Sequence, residues 1–326
     1  MSTEPTARER RRPSIAAMLL VPVAAALVLT LFAWPQARLE PRDLPVGVAG
    51  PTATAQQVEH RLDAQDGAFE VHRYADEADA RDAIADREIY GAVVTTPSAA
   101  KVLTASAASP TVAQMITNAA RATAKTTATT VDVEDVAPAE RVGALSAAIL
   151  PLILAGSLTA FISGMVAPGG GMRRAGLILG ASVLAGMAGT AIVQNWLDVV
   201  DGSWAANAAA LSLTVLAVAA TVAGLEALLG QLGTALGAMA MILVGNPFAA
   251  VASGPQMLPT PAGAIGQLMP PGAGGNLLRS TGYFDGAAAG GHVAVLATWA
   301  LAGLAVLLLA TVRDRRVAAE ATPVPA

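Results

Sequence analysis

The chain has no cysteine among its 326 residues, so no disulfide staples it and no thiolate is available for metal or redox chemistry. It has three histidines, His60, His72 and His292, and none stands at metal-ligand spacing from another, which leaves metal binding without support. Charge is scarce: 13% of residues are Asp, Glu, Lys or Arg against 54% hydrophobic, with a mean hydropathy of +0.54. Such a composition excludes an ordinary soluble domain and points to a membrane protein. The scarcity is sharpest from residue 143 to 312, where the ionisable groups besides His292 and Tyr283 are Arg173, Arg174, Asp198, Asp201, Glu226, Arg279 and Asp285. A phosphate-binding loop is missing too, because "APGGGMRR" lacks the Lys-Ser/Thr that must follow its glycines, so the chain is not itself an ATPase. The string "SAAK", from Ser98 to Lys101, has the S-x-x-K form of serine acyltransferases, but the partner motifs S-D-N and K-T-G are absent and no catalytic constellation results.

What is present is six apolar runs, at residues 15–34, 145–167, 175–194, 205–225, 232–253 and 291–312. Each is close to the ~20 residues that cross a hydrocarbon core of ~30 Å. The fourth and fifth runs have no obvious loop between them, but one helix of that length would be roughly twice the membrane thickness at ~1.5 Å per residue. A hairpin must therefore break it, and Glu226, Gly230, Gln231 and Gly233 mark the turn. Basic residues gather before the first run (Arg8, Arg10, Arg11, Arg12), after the second (Arg173, Arg174) and after the last (Arg313, Arg315, Arg316). By the positive-inside rule both termini are cytoplasmic in a multi-pass protein of the cell membrane, and residues 35–142 lie outside. The first run reads as an uncleaved anchor rather than an export signal, since "AWPQA" is a poor small-x-small cleavage site.

Residues 35–142 alternate strand and helix patterns: "LPVGVAG", a helix over 54–64, "FEVHRY", a helix over 77–87, then "YGAVVTT". This order predicts a small parallel sheet with right-handed crossovers, with "KVLTASA" as a further strand and a helix over 111–128 leading back to the membrane. The fold class is thus an α-helical polytopic membrane protein of six transmembrane helices, with a small extracytoplasmic α/β domain between helices 1 and 2. Residues 1–14 and 314–326 read as cytoplasmic tails, the latter disordered, and residues 143–313 as a five-helix transmembrane domain.

The stretch "SGPQMLPTPAGAIGQLMPPGAGGNLLRSTGYFDG", Ser253 to Gly286, carries proline and glycine where a helix would need neither. Its freed backbone groups must meet water or protein rather than lipid. Residues 254–290 are predicted to form an exofacial re-entrant segment of short half-helices, 262–269 and 276–281, that caps a gate. The candidate gate residues are Pro259, Pro270, Pro271, Arg279 and Asp285, with Arg279 and Asp285 at the aqueous rim; an inert outer loop is the alternative. Arg173 and Arg174 are candidates for a cytoplasmic coupling or topogenic role in a flexible hairpin. Glu226 caps the predicted cytoplasmic turn, and becomes the first candidate for proton coupling if the turn lies elsewhere. "GLILG" at Gly176 to Gly180 and "GTALG" at Gly233 to Gly237 permit close helix contact.

"DLPVGVAGP" soon after a first span, then "AIADREIYGAVVTTPSAAKVLTASAAS", then five clustered spans with "LPTPAGAIGQLMPPGAGGNLLRSTGYFDG" before the last, resembles the permeases of ABC-2-type exporters. The large outer domain is closest to the phage-infection-protein-like branch. The resemblance implies a permease subunit that exports a hydrophobic or amphipathic substrate, is paired as a homo- or heterodimer, and is driven by a separate ATPase subunit. Neither a cofactor nor a nucleic-acid partner is expected. The pattern departs from that family in the loop "VAPGGGMRRAG", whose glycines resist a docking helix. That departure favours the alternative, a non-transporting envelope scaffold or receptor whose outer domain binds a partner.

Overall fold

The structure, a computed structural model, describes residues 7–95, 100–127, 131–139 and 141–320. Helix α1 (Ala7–Ala37) is 31 residues long, about 46 Å at 1.5 Å per residue, and so outreaches a bilayer core. It begins inside the stretch expected as a tail. The chain then builds β1 (Leu44–Ala49), α2 (Thr52–Asp63), β2 (Phe69–Tyr74), α3 (Glu77–Ala85), β3 (Gly91–Thr95), β4 (Ala100–Thr104), α4 (Pro110–Thr127) and β5 (Val131–Asp135). Asp76 caps α3, its carboxylate accepting from the N–H groups of Ala78 and Asp79 at 2.9 and 3.1 Å.

These strands form one five-stranded sheet in the order β2-β1-β3-β4-β5. β1 pairs in parallel with β2 and β3, as the alternating pattern predicts, but β4 runs antiparallel to β3 and β5 parallel to β4. The sheet is therefore mixed, because the connection between β3 and β4 is too short for the crossover that parallel pairing needs. β5 went unforeseen: five residues alternating Val131 and Val133 with acids give little strand signal. Its Glu134 closes a ring of alternating charge, with Arg81 at 2.6 Å and Lys101 at 2.7 Å, while Glu77 lies 2.7 Å from Arg81 and 2.8 Å from Lys101. Lys101, the end of the "SAAK" string, thus serves this ring; Ser98 lies outside the described residues.

The membrane part comprises α5 (Gly143–Val166), α6 (Gly171–Thr190) with a π-helical end (Ala191–Trp196), α7 (Trp204–Leu229), and α8 (Gln231–Ala240). α8 runs through a π turn (Met241–Gly245) into α9 (Asn246–Phe248). A 3-10 turn (Pro255–Met257), α10 (Ala262–Gln267), α11 (Pro270–Tyr283) and α12 (Ala289–Glu320) follow. Among the described residues six helices are long and apolar enough to cross a membrane: Met18–Ala37, Gly143–Val166, Gly171–Trp196, Trp204–Leu229, Gln231–Phe248 and Ala289–Arg313. The last helix continues to Glu320, where a disordered tail was expected from 314; Ala, Arg and Glu favour helix there, and the first proline after the span is Pro323.

α7 is apolar all round, which fits a helix enclosed on every side. α5, α6, α8, α11 and α12 all pack on it. With no hydrophobic force between helices in lipid, close approach through small residues supplies the contact. A Cβ on Gly303 of α12 would fall 2.4 Å from the Ala220 carbonyl carbon of α7. In the "GTALG" motif, Gly233 and Gly237 likewise meet the α7 residues Leu225 and Val222. The "GLILG" motif behaves differently: among the described residues outside its own turn of helix, nothing lies within 4 Å of a Cβ at Gly176 or Gly180. On α7, Thr214 and Thr221 turn their hydroxyls back on their own helix, donating to Ala210 O at 2.8 Å and to Ala217 O at 2.7 Å, so these two need no water.

Trp34, Trp196 and Trp204 lie at the helix ends nearest the α/β domain, the position of an interfacial aromatic belt. Arg141 bonds Asp198 at 2.9 Å at that same end. The turns after α5 and α7 lie at the opposite end, where Gly171 faces Thr311 of α12.

Two outcomes follow. Gly303→Ala should lower stability by about 1–3 kcal/mol through overpacking, whereas Gly176→Ala should be neutral or stabilising by up to ~1 kcal/mol; thermal unfolding in detergent distinguishes them. Hydrogen bonds from Arg81 and then Lys101 hold the Glu134 carboxyl at about 2 against an ordinary 4.5. A depressed folded value means that its stabilisation is complete above pH 4.5 and is lost as pH falls toward 2. Unfolding midpoints measured across that window should fall less steeply in Glu134→Gln, and less steeply in high salt because the ring is solvent-exposed.

Candidate functional site at the seam between domain and bundle

Pro270 and Pro271 open α11 rather than break it, since the first helical positions have no N–H partner to lose. Met269, before them, is held extended, as a residue preceding proline prefers. The glycines that follow let α11 lie against α7: a Cβ on Gly274 would stand 2.4 Å from Thr214 Cγ2. Every residue from Pro270 to Ser280 is buried. The half-helix expected over 276–281 is therefore one part of a longer helix that starts at the prolines.

The 250–258 strand of chain and α11 together form the seat of the α/β domain. Ser109 Oγ donates to Ala252 O at 3.1 Å, Tyr90 OH to Gln256 Oε1 at 2.9 Å, and the backbone N–H groups of Glu40 and Arg42 donate to Met257 O and Gln256 O. At the centre is Arg279, which sequence reasoning put at an aqueous rim. The structure corrects this: Arg279 is 1% exposed. Its Nε donates to Ala107 O of the domain at 2.8 Å, its Nη1 to Asn276 Oδ1 at 2.9 Å and its Nη2 to Val251 O, so three separate segments supply the acceptors that water would otherwise give. An arginine side chain is not deprotonated in proteins, so this is a buried cation held by neutral acceptors.

Arg87 approaches from the domain side. Its Nη1 donates to Asn276 O at 3.1 Å and to Ser280 Oγ, its Nη2 to Asn276 Oδ1 at 3.1 Å, and its Cζ sits 5.4 Å from the Phe284 ring centre. One amide oxygen, Asn276 Oδ1, thus bridges two guanidinium groups. Among the described residues no carboxylate lies within ion-pair distance of either arginine. Asn276 is fixed in turn by Nδ2 donating to Gln267 Oε1 at 2.6 Å, while Gln267 Nε2 donates to Ala249 O at 3.1 Å. Sequence reasoning missed Arg87, Tyr90 and Asn276, and no residue pattern announces the positive φ that Arg87 takes after α3.

The remaining gate candidates divide. Pro259 is buried and its carbonyl accepts from Ala262 N at 2.7 Å, and Pro271 packs against Gly245 of the π turn. Asp285 is exposed and stands apart from Arg279, lining a cleft of about 960 Å³ with Asp82, Asp86, Asp201 and Arg81. A second, smaller cavity of about 210 Å³ is lined by Arg87, Asn276, Gln267, Gln256 and His292.

At the far end of the bundle, the structure brings together two candidates that sequence reasoning kept separate. Arg174 is 8% exposed rather than part of a flexible hairpin. Its Nη2 bonds Glu226 Oε2 at 2.7 Å and Ala160 O at 3.1 Å, and its Nε bonds Ser163 Oγ at 3.2 Å, joining α5, α6 and α7. Arg173 is exposed beside it. Glu226 is therefore an ion-pair partner near the α7–α8 turn, with its side chain 25% exposed.

Residues 12–169 match the family model described as ABC-2 family transporter protein, just under half of the chain, covering α1, the α/β domain and α5. No curated protein and no solved structure matches the chain. The similarity, with six apolar helices, supports a multi-pass membrane protein with a permease role in an ABC-2 system.

Removing one partner of the Arg174–Glu226 pair strands a charge in the bundle. Glu226→Ala should cost about 3 kcal/mol, near the low end for buried pairs because the carboxylate is partly wet. The double variant Arg174→Met with Glu226→Leu should cost clearly less than the sum of the single changes; a double-mutant cycle on unfolding in detergent reads the coupling.

Proposed function

We propose that this chain is the membrane permease subunit of an ABC-2-type transport system, which exports a hydrophobic or amphipathic substrate across the cytoplasmic membrane as one half of a dimer. The observation that carries the reading is the similarity of residues 12–169, which span α1, the docked domain and α5, to the ABC-2 family transporter protein model. Such permeases work with a separate ATPase subunit. Both termini lie in the cytoplasm, and the α/β domain lies outside; the arginines at Arg173, Arg174 and Arg313 stand at the end away from the domain, in keeping with the positive-inside rule.

In this reading the segment from Pro259 through α11, buried without interruption from Pro270 to Ser280, is the outer cap of the pathway. The six spans hold few charges, which suits a lipid-like cargo better than an ion. The Arg174–Glu226 pair, beside the turn between α5 and α6, is where a pull from a cytoplasmic partner would reach α7. ATP hydrolysis belongs to that partner.

One observation favours a second reading, a non-transporting envelope scaffold or receptor whose outer domain binds a partner. α5 ends at Val166 and α6 begins at Gly171, so the turn between them has no helix for an ATPase to grip. Purification from the native membrane separates the readings. A co-purifying ATPase, together with ATP-dependent movement of a fluorescent amphiphile in proteoliposomes, supports transport. Absence of both while an envelope protein co-purifies through the α/β domain would leave the scaffold. In the transport case, replacing Pro270 and Pro271 with Ala should change the rate of amphiphile movement and leave membrane insertion intact.

A further inference from the structure

The cavity of about 210 Å³ at the seam has a chemistry that its own protein neighbours leave incomplete. It would hold roughly seven waters at ~30 Å³ each, which is also room for one phosphate or carboxylate group. Of the five N–H donors of Arg87, three have protein acceptors, all on Asn276 and Ser280; Nε and one Nη2 hydrogen have none among the described residues. Arg279 stands behind Arg87 through the shared Asn276 Oδ1, adding a second positive charge without a carboxylate. His292, Gln256 and Gln267 line the same space with further polar side chains. Glu88 lies on the rim and is exposed, forming no ion pair with Arg87. Arg279 is buried and Arg87 half-buried, and among the described residues neutral oxygens are their partners, so an anion at the open donors of Arg87 would add the charge compensation that dipoles give only in part.

Depth favours a particular source for that anion. His292 is in the first turn of α12, and Trp34, Trp196 and Trp204 mark the same end of the bundle as the membrane–water interface. A lipid or amphiphile in the outer leaflet carries its headgroup at this level.

We propose that this cavity binds a phosphate-class anion, with Arg87 as its direct ligand and Arg279 and Asn276 positioning that ligand, and that the anion is the headgroup of an amphiphile. Its description as cargo rests on the permease reading; the binding itself does not.

The test uses the full-length protein in a non-ionic detergent, titrated separately with dihexanoyl phosphatidate, dihexanoyl phosphatidylcholine and inorganic phosphate, and read by calorimetry. Phosphatidate should bind, phosphatidylcholine should not, and Arg87→Gln should weaken phosphatidate at least tenfold while Arg173→Gln, at the far end, changes nothing. Phosphate binding as tightly as phosphatidate, with the same Arg87 dependence, supports the anion site and assigns it to free phosphate. Because Arg87 also fastens the domain, a second variant is needed. Ala288 lines the cavity, is exposed and has φ +55, a conformation that Asp and Asn tolerate better than Ala. Ala288→Asp should weaken binding roughly threefold or more and Ala288→Asn should not. No binding of either anion, or binding indifferent to both Arg87→Gln and Ala288→Asp, overturns the proposal. Since no ATPase or transport enters the assay, that outcome leaves the permease reading standing, and failure of ATPase co-purification leaves the anion site standing.

Discussion

Two guanidinium groups that share one amide oxygen hold the molecule together across its main internal boundary. Arg279 reaches from α11 to the domain carbonyl of Ala107 and to Val251, and Arg87 reaches from the domain to α11, with Asn276 Oδ1 accepting from both. Burying a charge costs several kcal/mol after relaxation, and here no carboxylate offsets it among the described residues; carbonyl dipoles and side-chain oxygens do so instead. The position of α11 follows from that requirement, because only a buried helix with a glycine-rich start can bring Asn276 and Arg279 beneath the domain while lying against Thr214 of α7.

The domain is consequently coupled to the bundle's central helix by a rigid path. α11 and α12 both pack on α7, and Glu226 in the last turn of α7 is paired with Arg174. A displacement at the far turn would be felt along α7, since its contacts are backbone-to-backbone approaches with little slack, such as that of Gly303 to Ala220. For a transporter this arrangement links the end where a motor would act to the end where a substrate would leave. For a scaffold it would supply stiffness alone.

Much of the architecture was legible in the residues. Hydropathy runs near twenty residues long located six helices, and the glycine at 230 marked the break between α7 and α8. Alternating patterns gave the strands β1 to β4, but not the direction of β4 or the existence of β5, whose Val131 and Val133 carry too short a signal. The site was far less legible. Pro270, Pro271 and Arg279 stood out by composition, whereas Arg87 and Asn276 are 189 positions apart and meet only in the fold. Arg174 and Glu226 were each noticed, but as a topogenic charge and a turn cap, since nothing local pairs residues on different helices.

The sequence by itself determined that the chain lives in a membrane, how many times it can cross, and that the segment from Ser253 to Gly286 could not be one continuous helix. These are properties of local runs, set by transfer energies and backbone chemistry that each stretch carries alone. The tertiary structure alone decided that α11 within this segment is buried and seats the α/β domain, and that Arg279 is dry rather than at an aqueous rim. The reason is that a buried charge is tolerable only where acceptors from distant segments converge, and convergence is a property of the fold and not of any stretch of sequence.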